Sequence, residues 1–262
     1  MAGTKISAYR PRNSTADRTL DILLLFDDAR PTVSALEVTE HIGVTRSSAY
    51  RYLQSLVSTG FIEEADAGAY RLGPRVLELA RLARRSYGLS TLARPVMLRL
   101  AAEVGETVLL TRRSGAAVVC LEREEAGAGP VRLSYERGHI LPVNAGAAAY
   151  TLLAWEPDDE IDAVLAAGDL TRSTERTLTT THELKARFAE IRAAGYAVSR
   201  GELDPDVLGV AAPVRNDHDT VIASISVAAL SRRITDERLP DVVARVCRAA
   251  ADLTEHVRLV DG

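Results

Sequence analysis

Apolar residues recur at helical spacing in the first quarter of the chain, and the pattern then breaks into shorter, strand-like alternation. Ser14 or Thr15 can cap a helix through Thr19, Ile22, Leu23 and Phe26. Ser34 with Glu37 three residues on forms a capping box, in which each side chain satisfies a backbone donor of the other. It opens a helix of about two turns with Ala35, Leu36, Val38 and Ile42 as its inner face. Gly43 sits where that helix must stop, because glycine enters the left-handed region without steric cost. Val44 can pin the turn to the core. Thr45 caps the next helix, in which Ala49, Tyr52, Leu53, Leu56 and Val57 point inward. Gly60 ends it. Phe61 and Ile62 start a strand, Asp66-Ala67-Gly68 turns it, and Tyr70-Arg71-Leu72 returns. Two short helices, a tight turn and what reads as a basic strand-turn-strand together predict a winged helix-turn-helix.

Pro74 suits the first turn of another helix, whose apolar positions Val76, Leu77, Leu79, Ala80, Leu82 and Ala83 face more than one direction. This predicts a linker helix ending near Gly88 that packs against a second subunit. Beyond it the pattern predicts helices over 96–104, 152–155, 161–165, 184–194 and 238–259. Strands are expected over 107–112, 117–122, 196–198, 207–214 and 221–228, with turns at Ser114-Gly115 and Asn216-Asp217. The fold class is therefore α+β with a largely antiparallel sheet. The expected boundaries are a DNA-binding domain over 1–73, a linker over 74–89 and a second domain over 90–262.

The chain has 262 residues, 47% of them hydrophobic, enough for two cores. No apolar run is long enough to span a bilayer and no signal-peptide core opens the chain, so a cytoplasmic location and no membrane partner are expected. Cys120 and Cys247 sit far apart in apolar surroundings and read as free buried thiols. The net charge of −4 argues at first against nucleic acid. Divided at residue 88, the first part holds 12 basic and 10 acidic residues and the rest 20 and 26, or +2 against −6. Only a contact face needs to be positive, and it falls in the first part.

That face is predicted on the second helix of the turn. Its outward residues are Arg46, Ser47, Ser48, Tyr50, Arg51 and Gln54, and no acid occurs between Val44 and Gly60 although charged residues make up 26% of the chain. Hydroxyls at the first turn, Thr45 included, suit phosphates, while Arg and Gln reach base edges in the major groove. A basic leader, Lys5, Arg10 and Arg12, adds to the same reading. Duplex DNA is the expected partner. An enzyme is not expected: the chain has no GxxxxGK[ST], no GxSxG and no HExxH. His41, His139, His182, His218 and His256 are scattered, so no metal or cofactor is implied. The alternative is a winged helix used for protein assembly, without an effector.

Three ordered stretches carry a family resemblance: TRSSAYRYLQSLVSTGFIE with YRLGPRVLELA, then RGHILPVNAGAAAYTLLA, then GYAVSRGELDPDVLGVAAPVRNDHDTVIASISVAAL. Together they resemble the IclR family of bacterial transcription regulators over nearly the whole chain. The resemblance implies a GAF-like effector-binding domain for a small organic acid. It also implies a homodimer or dimer of dimers on a near-palindromic operator, often as a repressor of a catabolic operon. It maps the effector pocket to an apolar patch of Leu133, Leu141 and Val207. Backbone at a helix start, Ala147 and Ala148, suits a carboxylate. The family's polar cluster falls on Ser199, Gly209, Ser226 and Ala228. Members that bind small oxo-acids have an acid, a thiol and two serines there, so the two lost polar side chains imply a bulkier, aromatic or alicyclic acid. Asn144 and Glu202 lie nearby and read as loop hydrogen-bonding residues; Trp155 reads as a packing residue.

Overall fold

The computed structural model describes residues 15–27, 29–86, 88–125, 135–168 and 170–261. The leader with Lys5, Arg10 and Arg12, and the alternative cap Ser14, lie outside them. The chain divides into two compact units, Met1–Ser86 and Tyr87–Gly262.

In the first unit, α1 spans Thr15–Leu23, β1 Thr32–Ser34, α2 Ala35–Ile42, α3 Arg46–Ser58, β2 Ile62–Glu64, β3 Ala69–Leu72 and α4 Pro74–Ser86. The capping box forms: the Glu37 amide donates to Ser34 Oγ at 3.2 Å and the Ser34 amide to Glu37 Oε2 at 2.7 Å. Those bonds from Ser34 hold the Glu37 carboxyl below its ordinary pKa. Gly43 adopts φ 66° and ψ 41° and ends α2. Ile22, Val33, Val38, Leu53 and Ile62 meet in the core of this unit.

Five details differ from the sequence expectations. Leu36 is 65% exposed, because one residue along a helix rotates the side chain by about a hundred degrees, off the stripe of Ala35 and Val38. α1 ends at Leu23, and Phe26 packs on the core from beyond the helix. A third strand, β1, pairs with β3, giving an antiparallel order β1-β3-β2. The wing is acidic rather than basic: Glu63, Glu64 and Asp66 outnumber Arg71, whose guanidinium pairs with Glu63 at 2.7 Å. α4 stops at Ser86, and Gly88 already belongs to the next helix.

The second unit comprises α5 (Gly88–Val104), β4 (Thr107–Ser114), β5 (Ala117–Glu124), β6 (Ile140–Pro142), α6 (Ala147–Leu153), α7 (Asp158–Ala167), α8 (Thr181–Ala194), β7 (Ala197–Arg200), β8 (Val207–Arg215), β9 (Val221–Leu230) and α9 (Leu239–Asp261). Its antiparallel sheet runs in the order β6-β5-β4-β9-β8-β7. Side chains alternate across it. Leu208, Val210 and Val214 of β8 and Ile225 and Val227 of β9 join Met97 and Leu100 of α5 and Val246 and Leu253 of α9 in one core. The opposite face is covered by α6, α7 and α8, with Tyr150, Leu153, Ile161 and Phe188 at the centre of a second core. β8 and β9 are thus covered on both sides, which is why they read as nearly continuous apolar runs. α5 begins eight residues before the sequence expectation and runs through Pro95, and α6 begins at Ala147 rather than at 152. Both cysteines are free; Cys120 is buried, whereas Cys247 on α9 is only half-buried.

Candidate nucleic-acid interface and ligand cavity

α3 is set up by its cap. Thr45 is extended, at φ −68° and ψ 153°, and its Oγ1 accepts from the Ser48 amide at 3.4 Å. The same hydroxyl lies 3.2 Å from Ser47 Oγ and 3.1 Å from Ser48 Oγ, so three hydroxyls cluster at the first turn. Ala49, Tyr52, Leu53 and Leu56 are buried and fix the helix to its unit. Arg46, Ser47, Tyr50, Arg51 and Gln54 are exposed on the other side, Thr45 is exposed at the cap, and Ser48 is half-buried. Arg46 lies over the Tyr50 ring at 5.7 Å, and Arg51 over Tyr52 at the same distance. Neither arginine has a carboxylate partner among the described residues, so both charges stand uncompensated on one helix face.

The second unit holds a cavity between the sheet and the start of α6, with about 460 Å³ of free space counting its mouth. Period-two alternation selects its floor. Register aligns Ser199 of β7 with Gly209 of β8 and Ala228 of β9, and the next row holds Ala211, Ser226 and Leu109. Ser199, Gly209, Ser226 and Ala228 all line the cavity, as do Leu141 and Val207. Ala147 and Ala148 close it from α6. Eight of the nine expected positions therefore converge on one space; Leu133 lies outside the described residues.

Gly209 is a close-approach position. A Cβ there would meet Ser199 Oγ at 2.7 Å and the Ala147 Cβ at 3.3 Å. The absent side chain is what lets α6 and Ser199 come together over β8. At α6 the preceding residue, Gly146, supplies no side-chain cap, so the amides of the first turn have no partner from a cap. Ser199 and Ser226 are 5% and 4% exposed, and neither hydroxyl has a hydrogen-bond partner among the described residues. The walls are otherwise mainly apolar.

Leu109, Tyr135, Leu203 and Asp204 line the cavity as well, beyond the positions expected from the sequence. Leu109 is legible as an inward position of β4. The other three sit on loops, where period carries no signal. Tyr135 packs against Leu109, Cys120, Val207 and Ala228 beneath the cavity and lies edge-on to His139 at 6.4 Å. Burial, with the Asp204 carboxylate adding to it, pushes the Tyr135 phenol up to about 12. Cys120 is likewise pushed to about 11, chiefly by burial. Asn144 does not line the cavity; its Nδ2 donates to Leu178 O at 2.8 Å and Thr171 O at 3.3 Å, a loop role. Glu202 lies outside the lining too, with Oε2 buried and unpartnered and its carboxyl raised by burial. Trp155 packs on the α6–α8 core under Arg215, 4.9 Å from the ring centroid. Among the described residues no group of three or more His, Cys, Asp and Glu is placed to hold a metal ion, and no helix is long and apolar enough to cross a membrane.

Known proteins match both units. Residues 15–66 match the IclR helix-turn-helix domain, and residues 82–255 match the bacterial transcriptional regulator IclR C-terminal domain. The chain is 31% identical to the HTH-type transcriptional regulator KipR of Bacillus subtilis over 246 residues, covering 94% of this chain and 98% of that one. It superposes on the IclR transcriptional regulator of Alicyclobacillus acidocaldarius with a TM-score of 0.80 at 26% identity, covering 94% and 99% of the two chains. An IclR homologue from Microbacterium hydrocarbonoxydans, solved in complex with 4-hydroxybenzoate, gives a TM-score of 0.77 at 26% identity over 93% and 99%. With both halves matched in order, the chain belongs to the IclR family: a transcriptional regulator with a DNA-binding helix-turn-helix and a C-terminal effector-binding domain.

Proposed function

We propose that this regulator is a repressor of a catabolic operon that senses a small aromatic or alicyclic acid in the cavity above β8. The carrying observation is the convergence of eight separately mapped positions on one apolar space with two unpartnered buried hydroxyls. Ser199 and Ser226 supply donors, and the uncapped amides around Ala147 and Ala148 favour an anion beside them. Leu109, Leu141, Val207 and Ala228 suit a flat apolar body. The complex of the Microbacterium relative with 4-hydroxybenzoate supports the same class. Isothermal titration checks it: aromatic acids bind, and glyoxylate or pyruvate bind far more weakly. Tight binding of the short oxo-acids alone sinks the reading.

On DNA, the reading face is Arg46, Ser47, Ser48, Tyr50, Arg51 and Gln54, with Thr45 at the phosphates. The protein works in the cytoplasm as a homodimer, or a dimer of two such dimers, on a near-palindromic operator. Leu77 and Leu79 of α4, 72% and 44% exposed, support self-association. Sedimentation would show a monomer if that is wrong. A gel shift with the upstream DNA of the gene, released by the bound acid, tests the repressor role.

A further inference from the structure

The cavity has two further polar groups, Asp204 and Tyr135, that an unsubstituted acid would leave unused. Asp204 lines it from the loop between β7 and β8. One carboxylate oxygen, Oδ1, accepts from the Asp206 amide at 3.3 Å, and the backbone carbonyl accepts from the Val207 amide at 3.0 Å, which holds the loop in place. Asp204 lines the cavity while also exposed to solvent, and it has no cationic partner among the described residues. Tyr135 lines the same space, half-buried, and its phenol has no hydrogen-bond partner among the described residues. Burial and Asp204 keep that phenol protonated and able to donate.

A bare monocarboxylate entering here brings one anion near another and offers the Asp204 oxygen nothing. We infer that the effector carries, besides its carboxylate, a hydroxyl or amino donor that Asp204 accepts and Tyr135 brackets, making these two residues the specificity determinants of the site. This rests on the organic-acid reading above. A hydrogen bond to a charged group discriminates about tenfold between ligands that have and lack the donor.

The test is isothermal titration of benzoate, 3-hydroxybenzoate and 4-hydroxybenzoate against the wild-type chain, Asp204→Asn and Tyr135→Phe. Thermal melting of each variant confirms that it folds. The wild type should prefer one hydroxybenzoate over benzoate by about tenfold or more. Asp204→Asn should bring that ratio toward one, in part by tightening benzoate as the repulsion goes, and Tyr135→Phe should reduce it. Equal wild-type binding of benzoate and both hydroxybenzoates overturns the inference, as does a preference that survives both substitutions. If no aromatic acid binds while pyruvate does, the aromatic reading itself fails and takes this inference with it.

Discussion

At the scale of single residues, two buried groups set measurable behaviour. The Glu202 carboxyl has Oε2 buried without a partner, and burial raises its pKa above the ordinary carboxylate value in the folded state. The folded form therefore binds more protons than the unfolded one between the two values. The stability this contributes is fully present below the unfolded value and is lost as the pH rises through the folded one. Glu202→Gln should raise the melting temperature at pH 8, with the gain shrinking toward pH 4; a gain independent of pH would refute the assignment. Cys120, 1% exposed and with its thiol at about 11, should resist iodoacetamide at pH 8 until the chain unfolds. Rapid labelling of the native protein at that position would contradict its burial.

At the scale of elements, caps are legible in the sequence, while short or small-residue segments are not. Ser34 and Glu37, Gly43 and Thr45 each signal a helix boundary by chemistry rather than by periodicity, and each forms as read. β1 has three residues, too few for alternation to register. The first turn of α6 is Ala147-Ala148-Ala149 behind Gly146, with no large apolar residue to mark a period until Tyr150. Pro95, with no amide hydrogen to donate, suits a helix start, yet α5 passes through it. The cavity floor is readable because strand alternation ties Ser199, Gly209, Ser226 and Ala228 to one face. Asp204 and Tyr135 are not, because loop residues reach the cavity only through tertiary structure. Two substitutions test the elements. Ser34→Ala removes a cap and should destabilise the first unit by about 1 kcal/mol in urea unfolding. Arg51→Ala should weaken operator binding by about 1–3 kcal/mol in a gel shift if it reads a base; an unchanged affinity would move the reading face elsewhere.

At the scale of the whole molecule, charge is distributed against the simple expectation that everything near DNA is basic. The wing carries Glu63, Glu64 and Asp66, and Glu63 occupies the Arg71 guanidinium. Glu63→Gln should free Arg71 for a phosphate and steepen the salt dependence of operator binding by about one in log–log slope. A slope that stays the same would show that the wing stands clear of the duplex. The acidic balance of the rest of the chain, −6 against +2, means that a polyanion meets less repulsion at the first part than at the second. The contact between Ser199 and Gly209 has one more consequence, for how such a regulator changes its ligand over time. The two positions share a single volume, so a side chain can enter at 209 only after 199 has given up its hydroxyl or turned away. Substitutions there should be strongly non-additive, and the order in which they arise decides whether the intermediate still senses anything.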